Sequence, residues 1–168
     1  MSNLDNIPAM LDAMATQLDE LISRNDLDNP VMVGIHSGGV WVAEQLYQRL
    51  SINDPLGSLD ISFYRDDFTR IGINPVVQTS ELPFGIDGRH ILLVDDVLHT
   101  GRTIRAALNE LFDYGRPASI HLAVLIERSG RELPIEANVV GQRVELQPGE
   151  HIKLSGPDPL RLEIKRDT

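Results

Sequence analysis

Apolar positions along this chain recur with two different periods, and the switches between them mark out its elements. Over residues 7–24, Ile7, Met10, Leu11, Met14, Leu18, Leu21 and Ile22 fall on one stripe at helical spacing. Asn6 is placed as an N-cap and Pro8 sits in the first turn, so the spacing predicts a packing helix without chemistry of its own. VMVGI (31–35) is apolar throughout and predicts a buried strand; HSGG follows, and VWVAEQLYQRL (40–50) returns to helical spacing. LDISFY (59–64), HILLV (90–94) and SIHLAVLIE (119–127) predict further strands, and RTIRAALNELFDYG (102–115) a helix closed by Gly115. ANVVG (137–141), HIKLS (151–155) and LRLEI (160–164) read as short extended pieces. Residues 65–89 hold Gly72, Pro75, Pro83, Gly85 and Gly88 and read as irregular, with a short strand at Val76–Thr79. A segment that long inside a compact domain is usually functional or mobile.

Strands alternating with helices predict an α/β fold, a mainly parallel sheet flanked by helices. Right-handed crossovers bring the loops after the strands to one edge, where such folds bind ligands. The loops that leave VMVGI, LDISFY, ILLV and HLAVLI are thus expected to share one cleft. The 168 residues suit a single domain, residues 1–168, without internal repeats. The N-terminus lacks the pattern of a secretory signal, no run is long enough to cross a bilayer, and a cytoplasmic protein without membrane partners is expected. Cysteine is absent, which excludes disulfides, thiolate metal sites and cysteine nucleophiles. The net charge of −10 opposes nonspecific binding to nucleic acid. Its distribution is uneven: residues 1–64 carry nine acids against Arg24 and Arg49 alone, whereas the remainder carries 16 acids and 13 basic residues. An anionic ligand is expected to meet the second part.

The chemistry concentrates in ILLVDDVLHTGRT (91–103). Gly101 permits a tight turn and close approach to a ligand. The loop amides and the start of the next helix form an anion site, to which Thr100 and Thr103 add hydroxyls. Asp95 and Asp96 accept hydrogen bonds but repel anions. A phosphate monoester with a vicinal diol a few ångströms away satisfies both halves, and ribose 5-phosphate has that shape. The loop then holds the 5′-phosphate while Asp95 and Asp96 hold the 2′- and 3′-hydroxyls. No G-x-x-x-x-G-K-[ST] loop is present, and no G-x-G-x-x-G follows the first strand.

This stretch resembles the phosphoribosyl pyrophosphate (PRPP) motif of type I phosphoribosyltransferases. SFYRDDF (62–68), VDDVLHTGRTIRAALNELFDYGRPASIHLAVLIER (94–128) and RELPIEANVVG (131–141) further resemble the PyrR family of bacterial pyrimidine operon regulators, which are also uracil phosphoribosyltransferases. The resemblance spans most of residues 31–141. It implies the type I phosphoribosyltransferase fold with a small C-terminal hood, and conversion of PRPP and uracil into UMP and pyrophosphate with Mg²⁺. It implies further a pyr leader mRNA as partner, regulation by uridine nucleotides, and a homo-oligomer of two or more chains. The phosphate-binding loop is then His99, Thr100, Gly101, Arg102 and Thr103. GIHSGGVWVA (34–43) aligns with the family's pyrophosphate loop at His36, Ser37, Gly38 and Gly39, and an ordinary strand-to-helix turn is the competing reading. Many relatives carry a basic residue at position 36, so this loop has less fixed positive charge.

In YRDD (64–67), Arg65 is expected to pair with the pyrophosphate and to serve catalysis together with Asp95 and Asp96, while Asp66 and Asp67 read equally well as a solvated turn. Residues 68–84 look like the family's flexible lid, with Arg70 as the only basic residue. No side chain is expected to bind the metal directly. By resemblance, Asn138, Val139, Val140 and Gly141 supply the uracil site within the hood, largely through backbone groups. RNA binding is the least supported of the inherited properties. The first helix has no basic residue in AMLDAMATQLDEL, and relatives' basic positions are held here by Glu136 and Gln142. Arg105, Arg116, Arg128, Arg131 and Arg143 remain for a basic cluster. Three readings stay open: a bifunctional enzyme and attenuator, a phosphoribosyltransferase with little RNA affinity, and a non-catalytic sensor acting through a protein partner.

Overall fold

In a computed structural model of the chain, residues 4, 6–61 and 80–167 are described. The elements in order are α1 (Ile7–Arg24), β1 (Val31–Ile35), α2 (Gly38–Arg49), β2 (Gly57–Leu59), β3 (His90–Leu98), α3 (Arg102–Tyr114), β4 (Ser119–Arg128), β5 (Val139–Val144), β6 (Glu150–Ser155) and β7 (Arg161–Arg166). Five strands form a sheet in the order β2-β1-β3-β4-β5, and every neighbouring pair in it is parallel. β6 and β7 form a separate antiparallel pair.

The period-two geometry of the strands sends alternate side chains to two cores. Met32, Leu92, Val94, Ala123, Leu125 and Val139 pack with α1, α2 and the β6–β7 pair through Leu11, Met14, Leu18, Val42, Leu46, Ile152 and Leu162. Val31, Val33, Ile35, Ile91, Leu93, Val124 and Val140 pack on the other face with Ile104, Ala107 and Leu111 of α3. The sheet is buried on both faces, which is why its strands read as continuous apolar runs. α1 begins as its sequence predicts: the Asn6 side chain accepts from the Ala9 amide at 3.2 Å, with proline in the first turn. α3 begins at Gly101, whose φ of +96° lies in the left-handed region.

Several boundaries differ from the sequence expectations. Of the strand expected over 59–64, Leu59 closes β2, which starts earlier, at Gly57, and pairs with β1 over Gly57–Leu59, while residues 62–64 lie outside the described residues. The expected short strand at Val76–Thr79, together with Arg65 and most of the expected lid, lies outside the described residues. β3 runs on to Leu98, since its ladder with β4 continues past the acids through Val97↔Ile126 and Leu98↔Glu127. α2 starts two residues earlier than expected, at Gly38. The extended C-terminal pieces divide. Val139–Val144 joins the main sheet as its parallel edge strand, while the other two pair with one another against α1 and α2.

Candidate functional site

The carboxyl ends of β1 and β3 come together at the starts of α2 and α3, and the sequence fixes how closely. A side chain on Gly39 would lie 2.7 Å from the Val94 carbonyl and 3.0 Å from both Cα and Oδ1 of Asp95. One on Gly38 would run into the Asp96 carboxylate, with its Cγ 2.7 Å away. Only glycine allows the turn after β1 to press against the paired acids on β3, so the expected pyrophosphate loop and diol-binding pair are in contact. The peptide between His36 and Ser37 is cis. The His36 amide donates to the Leu59 carbonyl at 2.9 Å, tying the loop to the end of β2. Its residue also lines an open groove of about 580 Å³ with Val40, Glu44, Leu56, Gly57, Ser58 and Glu81.

Asp95 is 4% exposed, the one buried charged or polar residue among those described, and Asp96 is half-buried. Each carboxylate is steered by the backbone that follows it: Asp95 Oδ1 accepts from the Asp96 amide at 2.8 Å, and Asp96 Oδ1 from the Val97 amide at 2.8 Å. Burial of a carboxylate is costly unless such donors satisfy it, so an acid at this depth implies a preorganised acceptor.

The loop from His99 to Thr103 is held from behind by the segment RELPI. The Thr100 carbonyl accepts from the amides of Glu132 at 2.9 Å and Leu133 at 3.0 Å, and the His99 carbonyl accepts from Arg131 Nη1. In a trans peptide the amide that follows a carbonyl points the opposite way. Tethering these two carbonyls to RELPI therefore turns the amides of Thr100 and Gly101 away from it. The Thr100 hydroxyl accepts from the Arg102 amide at 3.1 Å, and Arg102 pairs with Glu132 at 2.9 Å. A side chain at Gly101 would meet Ile135 at 3.1 Å, so glycine is required there by backbone conformation and by packing. Burial and the guanidinium of Arg128 lower the pKa of His99, with smaller contributions in the same direction from His151 and Arg131 and an opposing one from Glu132.

The four residues expected at the uracil site form the start of β5 and the residue before it. Val139 and Val140 are buried, one in each core. The Asn138 side chain accepts from the Leu122 amide at 2.9 Å while its own amide donates to the Leu122 carbonyl at 2.8 Å, closing the start of β5 onto β4. A side chain on Gly141 would lie 2.5 Å from the Leu125 carbonyl and 3.3 Å from Met14 Sδ, so this glycine seats the edge strand against β4 and α1. Sequence reasoning did not single out Glu127, whose carboxylate joins Arg131 at 3.0 Å and Arg143 at 2.7 Å. A lone acid near a strand end carries no spacing signal that would reveal it.

Of the five arginines available for a basic cluster, three are engaged internally. Arg131 and Arg143 share Glu127, and Arg128 donates to the carbonyls of Ser129 at 3.1 Å and Glu150 at 3.4 Å. Among the described residues no three His, Cys, Asp or Glu side chains are grouped to hold a metal ion, and no helix is long and apolar enough to cross a membrane.

The family model described as the phosphoribosyl transferase domain matches residues 1–153. The chain is similar to a protein named Bifunctional protein PyrR from Nitrosococcus oceani, with 59% identity over 95% of this chain and 92% of that protein. It is 55% identical to one of the same name from Pseudomonas aeruginosa, over 97% of this chain and 96% of that protein. Among solved structures, a hypoxanthine phosphoribosyl transferase of Trypanosoma cruzi matches with a TM-score of 0.67 at 22% identity, over 84% of this chain and 75% of that one. A hypoxanthine-guanine phosphoribosyltransferase of Bacillus anthracis matches with a TM-score of 0.68 at 16% identity, over 88% of this chain and 84% of that one. At such identities these structures speak to the fold alone.

Proposed function

Because this chain belongs to the phosphoribosyl transferase domain family, and within it to the PyrR proteins, we propose that it transfers the phosphoribosyl group of PRPP to uracil, forming UMP and pyrophosphate. The observation that carries this reading is the joint between two loops. Two backbone-steered carboxylates sit on β3 in contact with Gly38 and Gly39, and an amide-lined loop follows at the N-terminus of α3. Acceptors for a vicinal diol thus stand between two loops able to receive a phosphate and a diphosphate.

In this reading the bond from C1′ to the diphosphate oxygen breaks and a bond from C1′ to a uracil nitrogen forms, with loss of that nitrogen's proton. The transition state resembles an oxocarbenium ion, as in glycoside chemistry. The loop at Thr100–Thr103 anchors the 5′-phosphate and Asp95 and Asp96 fix the ribose. Amides of Ser37–Gly39 receive the leaving diphosphate, and Arg65 completes its charge partners. No covalent enzyme intermediate is required. Mg²⁺ fits this donor set, because hard carboxylate oxygens adjoin the place for the diphosphate, while among the described residues none form an all-protein cage. Bound with the substrate, it would neutralise leaving-group charge. Uracil is received by the Asn138–Gly141 segment, largely through backbone groups, because the side chains of Val139 and Val140 are taken up by the two cores.

The second reading adds regulation, the binding of pyrimidine-operon leader RNA under control of uridine nucleotides by a cytoplasmic homo-oligomer. The printed name of the relatives, which are called bifunctional, favours it. The internal pairing of Arg131 and Arg143 and the acid at Glu136 favour weak RNA affinity. The test is direct. Purified protein is incubated with PRPP, uracil and Mg²⁺, and UMP is measured. Formation of UMP in proportion to protein supports the transferase; its absence, with PRPP binding retained, would leave only a sensor.

A further inference from the structure

At the edge of the sheet opposite the candidate active site, three side chains converge that the transferase reading does not use. His90 opens β3 and Ser119 opens β4, paired directly across the ladder, and His121 lies two residues further along β4 on the same face. His90 Nδ1 is 2.6 Å from Ser119 Oγ, and His121 Nε2 is 3.2 Å from the same oxygen. All three residues are half-buried. A hydroxyl has one proton, so Ser119 donates to at most one of these nitrogens and accepts from the other. Two imidazole nitrogens therefore aim at one point from adjacent strands of a rigid parallel ladder.

We propose that His90 and His121, with Ser119 or a water as a further ligand, form a binding site for a divalent transition-metal ion of the zinc, copper or nickel type. Imidazole nitrogen suits these ions and does not suit Mg²⁺, which takes hard oxygen ligands. Ligation requires neutral rings. Burial first, and then the neighbouring His90, lower the pKa of His121. Ser119 Oγ marks the point that both nitrogens approach, where zinc–nitrogen bonds of roughly 2.0–2.1 Å would be made. With two imidazoles and no carboxylate, the site is expected to be weaker than a closed structural zinc site. Because it joins the first turns of β3 and β4, occupancy stabilises the sheet at the end remote from the ligand loops.

The test uses the full chain without a polyhistidine tag. Zn²⁺ is titrated by calorimetry, and Cu²⁺ binding is followed by electron paramagnetic resonance for nitrogen coupling. One equivalent is expected to bind, unaffected by excess Mg²⁺ and weakening as the pH falls through the imidazole range. H90Q and H121Q are each expected to weaken it by more than the roughly 10–100-fold that loss of an outer-shell partner costs. UMP synthesis measured without added zinc should be unchanged in both. Should either variant fold poorly, the native protein still decides the matter through its ring resonances, since those of His90 and His121 should respond to substoichiometric Zn²⁺ before those of His36, His99 and His151. Binding that survives both substitutions, absence of binding, or a first response at the other three histidines would overturn the proposal.

Discussion

Asp95 on β3 and Val140 on β5 pair with the same residue, Val124 of β4, and so stand at the same height in the sheet. Both are nearly inaccessible, at 4% and 9% exposure, yet they do opposite things. At Asp95 the next residue's amide satisfies the carboxylate, the strand continues three residues further, and the N-terminus of α3 follows. At Val140 the side chain fills the core beneath α3 and the neighbouring glycine closes the strand onto β4. Equal height therefore does not mean equal function. In the proposed reading the ribose-phosphate end of the site is written locally, in nine consecutive residues of one strand–loop–helix joint, while the base end draws on the segment that opens β5.

Four substitutions or conditions probe that contrast, in order of expected effect. Changing Asp95 and Asp96 together to Asn should weaken PRPP binding by at least about a hundredfold, because two charge-assisted bonds of about 1.5–3 kcal/mol each are at stake. Unchanged affinity by calorimetry would remove the ribose from β3. Val140→Ala should instead cost about 1.5–3 kcal/mol of folding stability in a denaturant titration while leaving PRPP affinity within twofold. A selective loss of uracil affinity there would show that the valine side chain meets the base. Replacing Thr100 and Thr103 together by Val should lower UMP and PRPP affinity in parallel by roughly tenfold, with free uracil affected less.

Acid supplies the fourth. His99 and His121 both have pKa values lowered in the fold, so the unfolded chain binds protons more readily. Their contribution to stability is present in full above the unfolded imidazole value of about 6.5 and is lost as pH falls through the depressed folded values. Midpoints of chemical unfolding followed from pH 8 to about pH 5 should decline below about 6.5, and less so in H99N.

What the sequence revealed follows from the same contrast. Asp95, Asp96 and the loop to Thr103 stood out because they are consecutive, and the apolar run before them could only be a buried strand. Gly38 and Gly39 were legible as loop glycines, but their contact with the acids was not, since it depends on the β1–β3 pairing. NVVG was legible as an extended piece, and its place in the hood came from resemblance alone. Nothing in four residues shows that the strand they open is the parallel edge of the main sheet, with Val139 and Val140 in two cores. Glu127 was invisible for the same reason, as its two arginines are four and sixteen residues away.

RNA affinity is the smallest and most distant effect. E136R with Q142K should steepen the dependence of log affinity on log salt by roughly two for duplex-like leader RNA. UMP synthesis should barely change. Tight, sequence-selective binding by the unmodified chain at physiological salt would show that its remaining arginines suffice.

The division of the site between β3 and β5 is tested most directly by titrating isotope-labelled protein with ribose 5-phosphate and following every backbone amide by NMR. The account predicts that the amides of Asp96, Val97 and Thr100–Thr103 move first and furthest, while those of Asn138–Gly141 stay in place. Shifts concentrated at Asn138–Gly141, with the loop before α3 silent, would contradict it.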